Sequence, residues 1–424
     1  MRKGPAKAGR VHRDGDENEE RLRREPIQGK GTDMTVRRTL LGGMLGLALA
    51  ASTSGFALAQ EAVKIGLILP MTGPFASTGK QIDAAVKLFL AREGATHGGR
   101  KLEVILKDDA GNADATRRLA QELVVNDKVS VLAGFGLTPL AMATAQIATQ
   151  AKVPEIVMAA ATASITEASP YIVRTSFTLP QASEPMANWA AKNGIKKVFT
   201  VVTDYGPGID AETSFANTFK EAGGTVESVR IPLRNPDFAP FLQRVSEAKP
   251  DALFVFVPSG VGAQFMKQFI ERGLDKAGVK LIGTGDVVDD DILEGMGDVA
   301  LGAITTHHYS AAHDSPANKA FVEAFQKANP GMRPNFMAVG GYDGMKLIAK
   351  ALDATKGDAS GDKLIAAMKG ASWESVRGPV KIDPDTRDII QNIYVRKTQK
   401  LGSELHNVEF ETIKDVKDPV KARK

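Results

Sequence analysis

Hydrophobic and polar positions along this chain switch between two rhythms. Short runs apolar on both faces, bounded by Gly, Pro, Asp or Thr, give way to longer stretches with apolar residues three and four apart, the pattern of strands followed by amphipathic helices. The first such unit is VKIGLILPMTGPFASTGKQIDA, Val63 to Ala84, in which Val63, Ile65, Leu67, Ile68 and Leu69 form the run, Pro70 ends it, and a helix begins near Gly79. A strand apolar on both faces suits a parallel sheet, and the loop after it lies at the sheet edge where open α/β folds bind ligands.

The unit repeats. Leu102 to Leu106 predicts a strand, followed by the polar turn Lys107 to Asn112 and a helix over Ala113 to Asn126. Val129 to Ala133 predicts a third strand, running through Gly134-Phe135-Gly136-Leu137 to a helix start with Thr138 as the cap and Pro139 in the first turn. Glu155 to Met158 predicts a fourth, giving way to Ala159 through Ser164, and Tyr171 to Pro180 reads as an extended segment leading out of this first lobe. A second series follows, with strands at Lys197 to Thr203, Val226 to Pro232, Ala252 to Val257 and Lys280 to Ile282 and helices such as Gly208 to Ala222 and Phe238 to Ala248. After another crossing at Ala303 to Tyr309, helices over Pro316 to Ala328 and Phe336 to Ala354 return to the first lobe. Val380 to Lys397 alternates as a hairpin turning at Pro384-Asp385-Thr386, and the charged stretch from about Lys414 reads as frayed. The predicted class is α/β, with two doubly wound, Rossmann-like lobes.

Composition changes this picture at the amino terminus. Of 54 Lys/Arg and 50 Asp/Glu, residues 1–59 hold eleven and seven, leaving 43 of each from Gln60 onward, so the net charge of +4 belongs to the leader and argues for no nucleic-acid partner. Residues 1–33 carry no hydrophobic period and read as a disordered extension or an upstream mis-start. Residues 34–59 have the three parts of a signal peptide: Arg37-Arg38, an apolar stretch from Leu40, and the small-residue end Ala57-Leu58-Ala59. A transmembrane anchor is the alternative reading of Leu40 to Ala59, disfavoured by that end, and the Arg pair leaves twin-arginine export open. The expectation is a periplasmic chain cut near Ala59/Gln60. The chain has no Cys, which excludes disulfides, thiolate metal sites and cysteine nucleophiles.

Two such lobes behind an export signal resemble the periplasmic solute-binding proteins of ATP-driven (ABC) importers, and within these the leucine/isoleucine/valine-binding family. The resemblance rests on KIGLILPMTGPFASTGK, KDDAGN, VLAGFGLTP, MAAATASIT, TDYGPGID and GYDGMKLIAKAL, in that order between about Ala62 and Arg396. It implies a type I binding protein with three hinge crossings that closes on one small solute and docks with a membrane permease. The implied domains are 60–178 with 310–372 as lobe I, 179–309 with 373–400 as lobe II, and 401–424 as a carboxyl-terminal tail; the chain is expected to be a monomer.

Loops at strand ends leave backbone N–H groups free at helix amino termini, which with Ser and Thr hydroxyls bind a carboxylate. Leu137-Thr138 and Ala160-Ala161-Thr162 supply this combination and match the positions at which the family holds its ligand's carboxylate. On residue type alone, Thr138 reads first as a helix cap and Thr162 as a turn residue, and it is their position in the family pattern that reverses this. Tyr205 matches the family's tyrosine that closes over the ligand, Phe75 either lines the pocket or packs beneath it, and Ser259-Gly260 sit in another strand-end loop. Branched-chain amino-acid receptors of the family place an acidic residue where this chain has Gly285. Neighbouring Asp286 either substitutes for it or is a helix-start carboxylate. Without that charge a ligand ammonium would be buried unpaired at a cost of several kcal/mol. The solute is therefore expected to be a branched-chain amino acid or a related aromatic acid, keto acid or amide, with its amino group absent or weakly recognised.

Other features lead elsewhere or nowhere. Gly206-Pro207-Gly208-Ile209-Asp210-Ala211 with Glu227 outlines a dinucleotide fingerprint, but in the wrong loop and behind Tyr205. Asp286 with Asp289-Asp290-Asp291 fits no calcium loop, and those acids read as a helix's first turn; His307-His308 lack a third metal ligand. No cofactor, metal or catalytic residue is expected. An importer receptor, not an enzyme, is the leading function, and an extracytoplasmic sensor signalling to a membrane partner is the alternative.

Overall fold

A computed structural model describes residues 61–423; the segments 1–33 and 34–59 and the expected cut at Gln60 lie outside the described residues. The first lobe is built on β1 (Val63–Leu69), α1 (Ala76–Glu93), β2 (Thr96–His97), β3 (Arg100–Asp108), α2 (Ala113–Val125), β4 (Val131–Gly134), α3 (Thr138–Ala151), β5 (Glu155–Val157) and β6 (Ile172–Arg174). Its strands order as β2-β3-β1-β4-β5-β6, parallel except for β2. Every residue of β1 but Lys64 is buried, as a run apolar on both faces requires. Ile82 and Phe89 of α1 cover one face of the sheet, and Leu119 and Leu123 of α2 with Ala141 and Ala145 of α3 cover the other.

The second lobe begins with α4 (Leu179–Lys192) and continues through β7 (Lys197–Thr203), α5 (Gly206–Glu221), β8 (Thr225–Ile231), α6 (Ala239–Ala248), β9 (Ala252–Phe256), α7 (Gly262–Glu271), β10 (Lys280–Thr284), α8 (Leu293–Met296) and β11 (Ile304–His307). The chain then returns to the first lobe, where α9 (Pro316–Ala328) and α10 (Phe336–Ala354) pack on α1 and α11 (Gly361–Met368) packs on α10. It crosses a third time to β12 (Ser372–Ser375), β13 (Gly378–Ile382), β14 (Ile389–Leu401) and β15 (Glu404–Val416), and ends in α12 (Pro419–Ala422). The second sheet orders as β12-β13-β14-β11-β10-β9-β7-β8, with β15 on β14. β7 to β11 are parallel, and β12 to β15 join antiparallel. Among the described residues no helix is long and apolar enough to cross a membrane.

Strand order reverses between β1 and β4 in one sheet and between β7 and β9 in the other, so each lobe has a crevice at the carboxyl ends of its strands. Buried Arg377 ties the crossings together: it donates to Thr175 O at 2.5 Å and Ser176 O at 3.2 Å while pairing with Asp343 at 2.8 Å.

Three expectations need correction. Tyr171 to Pro180 is not extended to its end: α4 starts at Leu179, closed by a reciprocal cap in which the Thr178 amide donates to Gln181 Oε1 and the Gln181 amide to Thr178 Oγ1. Thr138 does not cap α3; Leu137 occupies the cap position without a side-chain bond, and Thr138 is the first helical residue. Nor, over the described residues 401–423, is there a tail that frays from about Lys414. β14 turns at Gly402 into β15, a long edge strand whose exposed positions are polar or charged apart from Phe410.

Candidate functional site

The two crevices face each other and enclose a small cavity between the lobes. The first lobe contributes Phe75 and Thr78 from the loop and helix after β1, Gly136, Leu137 and Thr138 after β4, and Ala159, Ala160 and Ala161 after β5. The second contributes Tyr205 and Pro207 after β7, Phe256 and Pro258-Ser259 at and after β9, and Asp286 after β10. Phe177 and Leu179 from the first crossing and Phe336 and Met337 at the start of α10 complete the wall.

The lobes are closed. Thr162 Oγ1 lies so near Gly206 that a Cβ there would sit 2.4 Å away. Around the cavity the Ala163 amide donates to Asp210 Oδ2 at 2.7 Å, Asn335 Nδ2 to Asp289 Oδ2 at 2.8 Å and Arg234 Nη2 to Gly111 O at 3.4 Å, and Ser77 donates to Asp291. Asp289 and Asp291, expected in a helix's first turn, thus precede α8 and join the lobes instead. Asp290 accepts from the Ala311 amide and from Asn407 Nδ2.

On the first-lobe side the geometry suits an anion. The hydroxyls of Thr138 and Thr162 are hydrogen-bonded to each other at 2.8 Å, both residues nearly buried. Beneath them runs Arg174, fully buried, whose guanidinium donates to Thr162 O at 2.6 Å, Phe177 O at 3.0 Å and Ala160 O at 3.3 Å and pairs with Asp388 at 2.9 Å. Because C=O and N–H point oppositely across a trans peptide, holding the Ala160 carbonyl toward Arg174 turns the Ala161 amide the other way, toward the cavity that Ala161 lines. The Thr138 amide, at the start of α3, has no intrahelical acceptor. Asp388 also accepts from Lys421 of α12 and from Thr166 Oγ1, so the carboxyl-terminal helix braces this loop.

On the second-lobe side Tyr205 stacks on Phe256, ring centroids 6.1 Å apart. Burial and then the Asp286 charge push its phenol well above the ordinary value, so the hydroxyl stays a donor. Asp286 is buried, and its Oδ2 accepts from Thr284 Oγ1 at 2.9 Å and lies 3.6 Å from His307 Nε2. It lines the cavity, and it also stands in the first turn of a short 3-10 helix, Gly285–Val288, as the helix-start reading has it, though it makes no side-chain cap bond. His307 and His308 are stacked 4.5 Å apart behind the wall, both against Phe177 and Phe336. Burial lowers His307 to about 4 and His308 well below its usual range, so both are neutral near pH 7.

Gly285 does not reach the cavity. A Cβ at this position would lie 1.9 Å from Arg396 Nη2 and 2.7 Å from His307 Cδ2, so a buried guanidinium fills the space of the missing side chain. Arg396 donates to Tyr309 O and, at 3.2 Å, to Thr305 Oγ1, and it lies 4.0 Å from Asp290.

The cavity therefore brings together Phe75, Leu137, Thr138, Ala160, Ala161, Tyr205, Ser259 and Asp286 of the residues singled out from sequence. Thr162 stands behind Thr138, Gly285 is covered by Arg396, and Gly260 is exposed at the rim opposite Pro74. The sequence reading missed Thr78, Phe177, Phe256, Phe336 and Met337; Phe336 follows Asn335, whose side chain caps α10, a start signal that was legible. The dinucleotide-like glycines serve packing: Gly208 presses on the Thr203 carbonyl and Gly206 admits Thr162. Among the described residues no group of His, Asp or Glu could hold a metal.

Residues 62–403 match the periplasmic binding protein family. The chain is 43% identical over 390 residues to the Leu/Ile/Val-binding protein homolog 6 of Brucella melitensis, covering 91% of this chain and 99% of that protein. It resembles a crystal structure of an ABC-transporter solute-binding protein from Rhodopseudomonas palustris BisB5 in complex with 3,4-dihydroxybenzoic acid: TM-score 0.83, 63% identity, 85% of this chain and 99% of that one. A second R. palustris solute-binding protein, in complex with 4-hydroxybenzoate, matches with TM-score 0.83 and 44% identity over 86% of this chain and all of the other.

Proposed function

From the premise that the chain belongs to the periplasmic binding protein family, in its leucine/isoleucine/valine-binding branch, we propose that it is the receptor of an ABC importer for an aromatic carboxylic acid lacking an α-amino group. The observation that carries this reading is Arg396 in the place of a side chain at Gly285. A ligand ammonium at this end would find Asp286 alone, with the Arg396 cation close behind it, and like charges at close range in a low-dielectric site oppose binding. The anion end is kept: Thr138, Ala161 and Thr162 offer hydroxyls and amides, with the Arg174 charge behind them. Between the two ends Phe75, Phe177, Phe256, Phe336 and Tyr205 form walls suited to a flat ring. Relatives of high identity in complex with hydroxybenzoates support the same class.

In this reading the first lobe takes the carboxylate, Tyr205 closes over the ring, and the contacts around the cavity hold the closed form that a membrane permease recognises. The mature receptor is a periplasmic monomer released from its leader near Ala59/Gln60. Calorimetry with benzoate, 4-hydroxybenzoate, 3,4-dihydroxybenzoate and leucine tests it. Aromatic acids should bind and leucine should not; leucine binding more tightly than every aromatic acid would overturn it.

A further inference from the structure

Asp286 and Tyr205 leave two complementary groups unused at the second-lobe end of the cavity. Thr284 satisfies Asp286 Oδ2, but Oδ1 has no hydrogen-bond partner in the protein, although the residue is only 4% exposed. No neighbour bonds it. His307 Nε2 stands 3.6 Å from the other oxygen, beyond hydrogen-bonding reach, in a ring packed against Phe177, His308 and Phe336. The Arg396 guanidinium donates through Nη1 to Tyr309 O and through Nη2 to Thr305 Oγ1, and neither these nor its unpartnered Nε bonds Asp286. The Tyr205 hydroxyl likewise has no hydrogen bond, and it is close enough for the Asp286 charge to act on it. An ionised carboxylate oxygen only accepts and a tyrosine hydroxyl readily donates; a phenolic hydroxyl on a ligand does both.

We propose that Asp286, assisted by Tyr205, is a specificity-determining residue that accepts a hydrogen bond from a ring hydroxyl on the side of the ligand away from its carboxylate. The inference rests on the aromatic-acid reading above and narrows it to hydroxylated rings. Closure on an unsubstituted ring strands Oδ1 in a dry site without a donor, whereas closure on a phenol satisfies it. Sites built to hydrogen-bond a hydroxyl discriminate strongly against analogues lacking one, because their own polar groups are then left unpaired.

The test is a calorimetric series on the mature protein with benzoate, 4-hydroxybenzoate and 4-methoxybenzoate, the last having an oxygen but no proton to donate. Wild type should bind 4-hydroxybenzoate about 10- to 100-fold more tightly than either analogue, the range for one hydrogen bond to a charged group. In Asp286→Ala the preference over benzoate should collapse, and in Tyr205→Phe, which keeps the ring stacking, it should shrink severalfold. Benzoate binding as tightly as 4-hydroxybenzoate in wild type, a comparison that needs no variant, would overturn the inference while leaving the aromatic-acid reading intact. Equal losses for both ligands in Asp286→Ala would also overturn it, by making the residue structural. Leucine binding with no aromatic acid bound would overturn the parent reading instead.

Discussion

A single methyl group at Gly206 should hold the receptor open. This residue begins α5 in the second lobe, and a Cβ on it would lie 2.4 Å from Oγ1 and 3.2 Å from Cγ2 of Thr162 in the first. Its backbone is not left-handed, so alanine fits it without strain. Thr162 cannot swing away cheaply, because a β-branched side chain has few rotamers and its hydroxyl is bonded to Thr138 at 2.8 Å. The penalty therefore falls on the closed state alone. Forcing a methyl into a packed contact costs about 1–3 kcal/mol, and about 1.4 kcal/mol is tenfold in affinity, so Gly206→Ala should weaken ligand binding about 5- to 150-fold. In the open state the methyl meets only water, and unfolding without ligand should shift by no more than about 0.5 kcal/mol. Calorimetry gives the affinity, and small-angle scattering at one fixed ligand concentration should show the variant with the larger radius of gyration. An unchanged affinity, or a loss of unliganded stability as large as the loss of binding energy, would refute the reasoning.

Three further outcomes follow from buried charges. Glu155 is fully buried with Thr144 as its hydrogen-bond donor, and burial pushes its carboxyl up to about 8 from 4.5. A raised carboxyl favours the folded state below the unfolded value and loses that contribution as pH rises through the folded one, here about 5 kcal/mol between pH 4.5 and 8. Urea denaturation of Glu155→Gln should therefore show a gain over wild type that grows with pH, and a constant difference would count against it. His307, lowered to about 4 by burial, has the opposite sign, because the unfolded chain takes up the proton first as pH falls through 6.5. The stability difference between wild type and His307→Gln, in which His308 and the buried carboxyls titrate alike, should change by about 3 kcal/mol between pH 6.5 and 4; a constant difference would contradict it. Lys421→Met removes the buried contacts to Asp388 and Thr166 while Arg174 still pairs with Asp388, and should cost about 1–3 kcal/mol by urea denaturation. No loss would mean that α12 does not brace the loop.

What the sequence disclosed and what it hid differ by a physical rule. β1 and the loops after β4, β5 and β7 were legible because buried parallel strands are continuous apolar runs whose ends mark the crevice. α4 was hidden by Pro180 and Pro185, which break a helical reading, although Thr178 and Gln181 stand at the spacing of a capping box. β15 was hidden because an edge strand with one wet face keeps little hydrophobic contrast, and irregular register along β14 disturbs the alternation. Phe177 comes from the first crossing and Phe336 from the start of α10, so no local pattern announces that they form one wall. Thr138 shows the limit of residue-type rules, since the signal that reads as a cap belongs to a hydroxyl bonded to Thr162.

The arrangement around Gly285 explains why the cavity's two ends can be assigned separately. An amino-acid receptor must present opposite polarities to one ligand, and losing the acidic side chain leaves a space that something has to fill. Here the filler is the Arg396 guanidinium, drawn from a distant strand, β14. A glycine filled by water or by an apolar group would have left the site neutral and only weakly hostile to an amine. Filled by a guanidinium that is itself held by Tyr309 O and Thr305, it is hostile by charge, and a carboxylate restored at 285 would be neutralised by Arg396 before a ligand arrived. Asp286, one residue on, is left facing the cavity with Arg396 among the charges around it and one oxygen unpartnered. A neutral donor suits that oxygen better than a second cation, because Arg396 already places one cation beside it and a hydrogen bond is what it lacks. The same step of chain that removes the ammonium site thus leaves a place for a hydroxyl.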